Sequence, residues 1–214
     1  MVQNRISKDI LLRAVEFGAS LAGLASVLDL KESPTYGIYD KSPYYDGYGG
    51  VEWPEKAKTV LVLALEHRAD EPELDWWSDA IPGRTPGNRI LMKTSRKLKE
   101  WLKEKHDINA EPLPYPVEKG GIFLKDAAVL AGLGIIGKNN LLITPEYGPR
   151  IRLRALFLDK VLEPIGILDF SPCAKCDRPC FAACPENAFS SGNYMVSSCE
   201  PEMQRNRTNL AAVA

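Results

Sequence analysis

The sequence predicts an α/β protein of the α+β kind, a core over residues 1–168 followed by a cysteine-rich segment over 169–214, and three stretches predict it. Thr59–Leu65 is a continuous apolar run with β-branched members, the pattern of a central strand buried on both faces. Thr85-Pro86 supplies an N-cap and first-turn pair, and the helix it opens carries Ile90, Leu91, Leu98, Trp101 and Leu102 on one side. Four of the five cysteines, Cys173, Cys176, Cys180 and Cys184, then fall within thirteen residues in the order C-x2-C-x3-C-x3-C-P.

In chain order, Ile6 to Gly18 places Ile6, Ile10, Leu11, Ala14, Val15 and Phe17 near one helical face, with Ser7 as a cap. Leu21 to Val27 reads as a short strand or turn. From Lys31 to Pro54 the pattern breaks at Ser33-Pro34, Ser42-Pro43 and three glycines, around Tyr36, Tyr39, Tyr44, Tyr45 and Tyr48. A loop of that length is functional or mobile, and its tyrosines either line a flat cofactor or fasten the loop down. Asp70 to Gly87 is again irregular. On the helix after it, Lys93, Arg96, Lys97, Lys99 and Lys103 read as a solvated face more than a phosphate track. Ala110 to Tyr115 is extended, closed by Pro114 and Pro116. Arg150 to Leu158 alternates arginine with apolar residues, a half-buried strand whose basic face meets an anionic ligand or water.

Gly132-x-Gly134-x-x-Gly137 matches a dinucleotide-binding fingerprint letter for letter, but that motif follows a strand and opens a helix. Here Leu124 to Leu133 has helical spacing and Asn140 to Thr144 looks like strand, so the order is reversed and a dinucleotide site is rejected. What remains is a glycine turn bearing Lys138, Asn139 and Asn140. It either offers backbone N–H groups to a polar cofactor edge or simply joins helix to strand.

The chain has 214 residues, 45% hydrophobic and 26% charged, with a formal net charge of -1. That balance gives no global reason to expect nucleic acid or an anionic membrane. No run is long and apolar enough for a membrane helix. Asp9 and Glu16 stand where a signal peptide would be basic, so the expected location is the cytoplasm. In a reducing compartment thiols seldom pair as disulfides. The cysteine spacing is close to the ferredoxin run that binds an iron–sulfur cube, and Pro185 then suits a helix start. Zinc favours separated cysteine pairs or added histidine, and the only histidines, His67 and His106, lie far off in sequence. An iron–sulfur site is therefore preferred to zinc or structural thiols. Cys173, Cys176 and Cys180 are three metal ligands, with the fourth left open among Cys184, Cys199, a non-cysteine ligand and a partner chain; Cys184 is preferred because it needs no folding back of the tail.

The stretch "AGLGIIGKNNLLITPEYGPRIRLRALFLD" followed by "PCAKCDRPCFAACPENAF" resembles the epoxyqueuosine reductase family and its shorter iron–sulfur relatives, with reductive dehalogenases as more distant cousins. The resemblance covers about residues 5 to 200 and implies a nitroreductase-like mixed-sheet core that holds a corrinoid (cobalamin). Ferredoxin-type 4Fe–4S clusters would deliver electrons to it, from a redox partner protein. By matching motif, Gly132, Gly134, Gly137, Lys138 and Asn139 fall in the cofactor-holding turn. Where the reductases carry an aspartate acid in a "GRDYH"-like run, this chain reads Gly83-Arg-Thr-Pro-Gly-Asn88-Arg89. They also continue into a helical repeat that helps grip transfer RNA, whereas this chain stops at Ala214, and a further cysteine motif expected after Cys199 is absent. The expectation is an iron–sulfur, corrinoid-linked oxidoreductase with transfer RNA an unlikely partner. The alternatives are a non-catalytic electron carrier or corrinoid-binding module, and a zinc-stabilised interaction domain.

Overall fold

The computed structural model describes residues 2–41, 51–78, 80, 82–192, 194–202 and 205, with the side chains of 2–4, 38–41 and 118 excepted. Strand β2 (Thr59–Glu66) lies inside a four-stranded sheet between β1 (Leu21–Ser26) and β6 (Ile151–Leu158), with β3 (Ala110–Pro112) beyond β6. Its six residues Thr59 to Ala64 are buried. Alternation sends Leu61 and Leu63 to one face and Val60, Val62 and Ala64 to the other. Both faces are covered, which is why the run is continuously apolar rather than alternating. Helices α1 (Val2–Glu16) and α4 (Pro86–His106) lie over the first face, through Ile10, Ala14, Leu91, Leu98 and Leu102. On the second face α2 (Val27–Lys31), α3 (Pro34–Lys41) and α5 (Leu124–Leu130) pack through Val27, Leu30, Tyr36, Ala127 and Ala128. The result is a three-layer α/β core of the expected class. The sheet differs from the expected mixed one: among the described residues, its three strand pairings are all antiparallel.

Local chemistry explains most boundaries. Ser26 ends β1 and caps α2, its side chain accepting from the backbone N–H groups of Leu28 and Asp29. Thr85 caps α4 by accepting from Asn88 N at 3.2 Å, with Pro86 in the first turn, and Asp107 ends the helix in a left-handed conformation. The Lys31–Pro54 stretch, expected to be irregular, contains α3. Pro34 presets its first turn, and the buried Tyr36 ring packs on Trp53 and Phe123 at 5.2 and 4.8 Å. Tertiary packing thereby stabilises a helix too short to persist alone. Tyr36 fastens this stretch down, its hydroxyl accepting from Phe123 N at 3.1 Å. The other tyrosine side chains of the stretch lie outside the described residues.

Two close approaches hold the layers in register. A Cβ on Gly23 of β1 would stand 2.2 Å from the Ala131 carbonyl oxygen, so α5 reaches the sheet only because that position is glycine. At the other end of the sheet the Arg152 guanidinium lies against the first turn of α4, where a Cβ on Gly87 would meet its Cζ at 2.6 Å. Arg152 donates to Thr85 Oγ1 at 2.5 Å and pairs with Asp75, the last residue of a 3-10 turn (Pro72–Asp75). His67, just beyond β2, places Nδ1 2.6 Å from Asp75 Oδ1. Burial, Arg152 and Arg150 hold the His67 imidazole below its ordinary pKa, so the Asp75 charge is answered by Arg152.

Gly23→Ala should destabilise the protein by about 1–3 kcal/mol in a urea titration, because backbone carbonyl rather than a flexible side chain blocks the added methyl. Gly37→Ala, on α3 with nothing within 4 Å of an added Cβ, should be neutral or gain up to about 1 kcal/mol. Equal effects at both sites would contradict the packing described. For His67 the folded-state pKa is depressed, so the unfolded chain binds the extra proton more readily. Its contribution to stability is present above about pH 6.5 and is lost as pH falls below that through the folded value. The Tm of the wild type should therefore drop more steeply between pH 7.5 and 5.5 than that of His67→Gln; parallel curves would remove His67 from the account.

Candidate functional site

The cysteine segment is built without an internal glycine, and left-handed residues bend it instead. Arg178 (φ 57°) stands immediately before Pro179 and the single-turn helix α6 (Pro179–Ala182), and Asn187 (φ 48°) bends the chain after it. Cys173 sits in the turn before this bend, Cys180 within α6, and Cys184 just after it. All five cysteines are free thiols, with Cys176 exposed and Cys173, Cys180, Cys184 and Cys199 half-buried. Cys184 Sγ accepts from Ala188 N at 3.4 Å. Phe181 and Phe189 stack with centroids 4.7 Å apart, and the Arg178 guanidinium lies 5.6 Å from the Phe181 ring centre. The tail returns to this segment: Met195 N donates to Ala188 O at 2.8 Å, 196–202 is helical, and Arg205 pairs with Glu186 and Glu202. The folding back held against Cys199 therefore occurs, and the preference for Cys184 loses that reason. Among the described residues no three His, Cys, Asp or Glu side chains converge on one metal position.

The glycine turn is a helix-to-hairpin connection. Helix α5 ends at Leu130, Gly132 turns left-handed (φ 70°), and β4 (Ile135–Ile136) pairs with β5 (Leu142–Ile143). A Cβ on Gly134 would lie 2.2 Å from Ile143 O, and one on Gly137 would lie 2.4 Å from Ile143 Cδ1. Three backbone donors of the turn expected to face a cofactor are used inside it. Gly132 N binds Val129 O, Gly137 N binds Leu141 O at 2.8 Å, and Asn140 N binds Gly137 O. Lys125, whose pKa burial lowers, donates to Asn140 O at 2.6 Å and fixes the tip from below. Lys138 stands exposed at that tip and Asn139 is half-buried, its Oδ1 accepting from Leu141 N. Ile136 and Leu141 flank them, 38% and 49% exposed.

Two polar clusters have no counterpart in the sequence reading. The first is the His67, Asp75, Arg152 and Thr85 network, which gathers residues from four separate elements at the start of α4. The reversed pairing of β2 and β6, with Leu65 opposite Arg152, is what brings Arg152 there, and only its alternation along β6 hinted at a shared face. It also places a carboxylate, Asp75, beside the 83–89 run that has none. In that run Asn88 is a structural residue, its side-chain N–H donating to Gly83 O at 2.8 Å. The second is buried Asp126, which accepts from Ser33 Oγ and Thr35 Oγ1, each at 2.5 Å, and ties α3 to α5.

No protein-family model matches the sequence. Epoxyqueuosine reductase of Bacillus subtilis (strain 168) is 34% identical over 162 residues, 67% of this chain and 39% of that protein. The epoxyqueuosine reductase of Gloeobacter violaceus is 35% identical over 139 residues, 62% of this chain and 41% of that protein. Tetrachloroethene reductive dehalogenase of Desulfitobacterium hafniense is 43% identical over 155 residues, 69% of this chain and 26% of the dehalogenase. The chain thus spans less than half the length of each of these curated relatives. In structure it superposes on an epoxyqueuosine reductase crystallised with a modified transfer-RNA stem loop, with TM-score 0.67, 21% identity and coverage of 92% of this chain and 56% of that one. A catabolic reductive dehalogenase gives TM-score 0.56 at 16% identity, over 83% of this chain and 24% of that one. At such identities these likenesses establish the fold. The stem loop is bound by that reductase, and the match conflicts with the expectation that transfer RNA is an unlikely partner, which rested on this chain's departures from the reductases and on its net charge of -1. That sum averages over the surface, while α4 alone carries seven Lys and Arg against two Glu. Curated sequence matches and a shared three-layer fold together place this chain in the epoxyqueuosine reductase-like family, with the reductive dehalogenases as its kin.

Proposed function

We propose that the chain is an iron–sulfur oxidoreductase whose 169–214 segment holds one 4Fe–4S cluster and whose 1–168 core holds a corrinoid or another planar cofactor that the cluster reduces. The redox role is the part that the curated reductase and dehalogenase relatives support directly. The observation that carries the finer reading is the cysteine segment itself. It presents four free thiols within thirteen residues, on a backbone bent by Arg178 and Pro179 rather than closed by disulfides.

The donor set fits such a cluster, because each thiolate of a cube binds its own iron and the ligands approach from separate corners instead of meeting at a point. When bound, the cluster supplies one-electron transfer. Cys173, Cys176 and Cys180 hold three corners, and the returning tail makes Cys184 and Cys199 equal candidates for the fourth. The Ala188 N–H aimed at Cys184 Sγ stabilises negative charge on sulfur and so favours the reduced state. For the planar cofactor the fit is narrower. Gly132, Gly134 and Gly137 shape the turn, and the amides of Gly132 and Gly137 are used within it, so contact falls mainly to Lys138 and Asn139, with Ile136 and Leu141 as apolar flank.

One observation favours a second reading, an electron carrier with no bond chemistry of its own: the 83–89 run lacks a carboxylate and its Asn88 amide is spent on holding the loop. A redox partner protein then receives or supplies the electron in either case.

Anaerobic reconstitution with iron and sulfide should load about 4 irons per chain and give a broad band near ~400 nm, abolished in Cys176→Ala. Retention of the band in Cys199→Ala and loss in Cys184→Ala would assign the fourth corner to Cys184; the opposite pair of results would assign it to Cys199. Stoichiometric zinc without sulfide would refute the cluster. Cobalamin that co-elutes with the loaded protein, and less so with Lys138→Ala, supports the enzyme reading, whereas a loaded protein that retains none is the carrier.

A further inference from the structure

We propose that the groove along the first half of α4 is a binding site for a phosphate-bearing ligand, independent of the cysteine segment. A cavity of about 350 Å³ lies there, lined on its helix side by Arg89, Lys93 and Arg96. These residues are exposed and occupy positions i, i+4 and i+7 of one helix, hence one ridge. None of the three has an ion-pair or hydrogen-bond partner among the described residues, whereas Arg13, Arg68, Lys103 and Arg205 each meet a carboxylate. Three unanswered cations facing one concavity differ from a solvated helix face, where charges point outward into water. Lys93 and Arg96 were expected on a solvated helix face, and the chain just before α4 makes that face a groove.

The groove is rigid before any ligand arrives. Gly83 is left-handed (φ 81°), and a Cβ there would stand 2.8 Å from Met92 Sδ, so the loop closes tightly on the helix. Asn88 grips Gly83 O, Thr85 caps α4, and Arg152 holds Thr85 from the sheet. Pro82, from the chain before α4, and Pro86, in its first turn, complete the lining and stiffen it. A preformed site loses little to ordering on binding.

The lining selects the ligand class. At a rise of 1.5 Å per residue the three cations span about 10 Å, wider than one carboxylate and suited to a phosphate with its substituent or to successive phosphates. Guanidinium forks recognise phosphate oxygens in pairs, and the lysine adds a mobile point charge. Ile90 and Met92 form an apolar floor beside them, which suits the face of a sugar or base. A nucleotide and an RNA backbone share this chemistry.

Isothermal titration of the full chain with pyrophosphate, with a nucleoside 5′-monophosphate and with a short single-stranded RNA distinguishes the sources. At about 50 mM salt at least one probe should bind with Kd below about 1 mM, and the triple variant Arg89→Gln, Lys93→Gln, Arg96→Gln should weaken it at least about tenfold. The pair Lys99→Gln, Lys105→Gln, on the same helix outside the groove, should leave it unchanged. If RNA is the ligand, it binds tightest, and the slope of log K against log salt falls by about 2 in the triple variant, three phosphate contacts at about 0.7 each. If a small phosphate is the ligand, the nucleotide binds as well as RNA and both are lost together. No binding of any probe at millimolar concentration overturns the proposal. So does equal binding by wild type and a triple variant whose circular dichroism and Tm match, or an equal loss in the control pair.

Discussion

The pairing of β2 with β6 over Thr59–Leu158 through Glu66–Ile151 is the constraint on which the remaining structure depends. It buries two eight-residue strands at the centre of the sheet, so every layer above and below is built against their side chains. Because the pairing is antiparallel, the far end of β2 lies beside the near end of β6. Residues leaving β2 at His67 therefore meet Arg152 entering β6. The hydrophobic burial of the strands is non-directional, but their register is not: a slip of one residue would exchange the Leu61 and Val62 faces and carry Arg152 into the core.

Register in turn decides what stands at the N-terminus of α4. Arg152 is nearly buried, and its charge is tolerated because Asp75 and Thr85 receive it. The same contacts fix the loop before α4, so a core interaction sets the shape of a surface groove. Asn88, read against its relatives as a lost acid, is better understood as part of this support. The local link from sequence to chemistry is thus indirect, through packing to loop geometry and only then to ligand recognition.

The cysteine segment and the glycine turn show opposite relations between motif and structure. In the first, residue type is the chemistry: four thiols so close in sequence are close in space whatever the surrounding fold, and the bends at Arg178 and Asn187 refine their approach. In the second, the glycines look like a ligand motif but serve packing, since Gly134 and Gly137 let β5 lie against the turn and the Gly137 amide is spent internally. A glycine pattern specifies close approach without saying whether the approaching group is a ligand or the chain itself.

The amino-acid sequence by itself determined the buried strand at Thr59–Leu65, the capped start of α4 at Thr85-Pro86, the basic-apolar strand after Arg150 and the cysteine run, because each rests on local periodicity, capping or spacing. It also ruled out a dinucleotide fold from the order of helix and strand around Gly132. Only the tertiary structure decided strand direction, the helix at Pro34–Lys41, the partners of Arg152 and Asp126, and the return of the tail past Cys184. These depend on contacts between residues tens of positions apart, whose free energy is felt only once the hydrophobic layers have closed. Net charge has the same limit: a sum over the chain contains no positions, and the fold is what gathers Arg89, Lys93 and Arg96 on the rim of one groove.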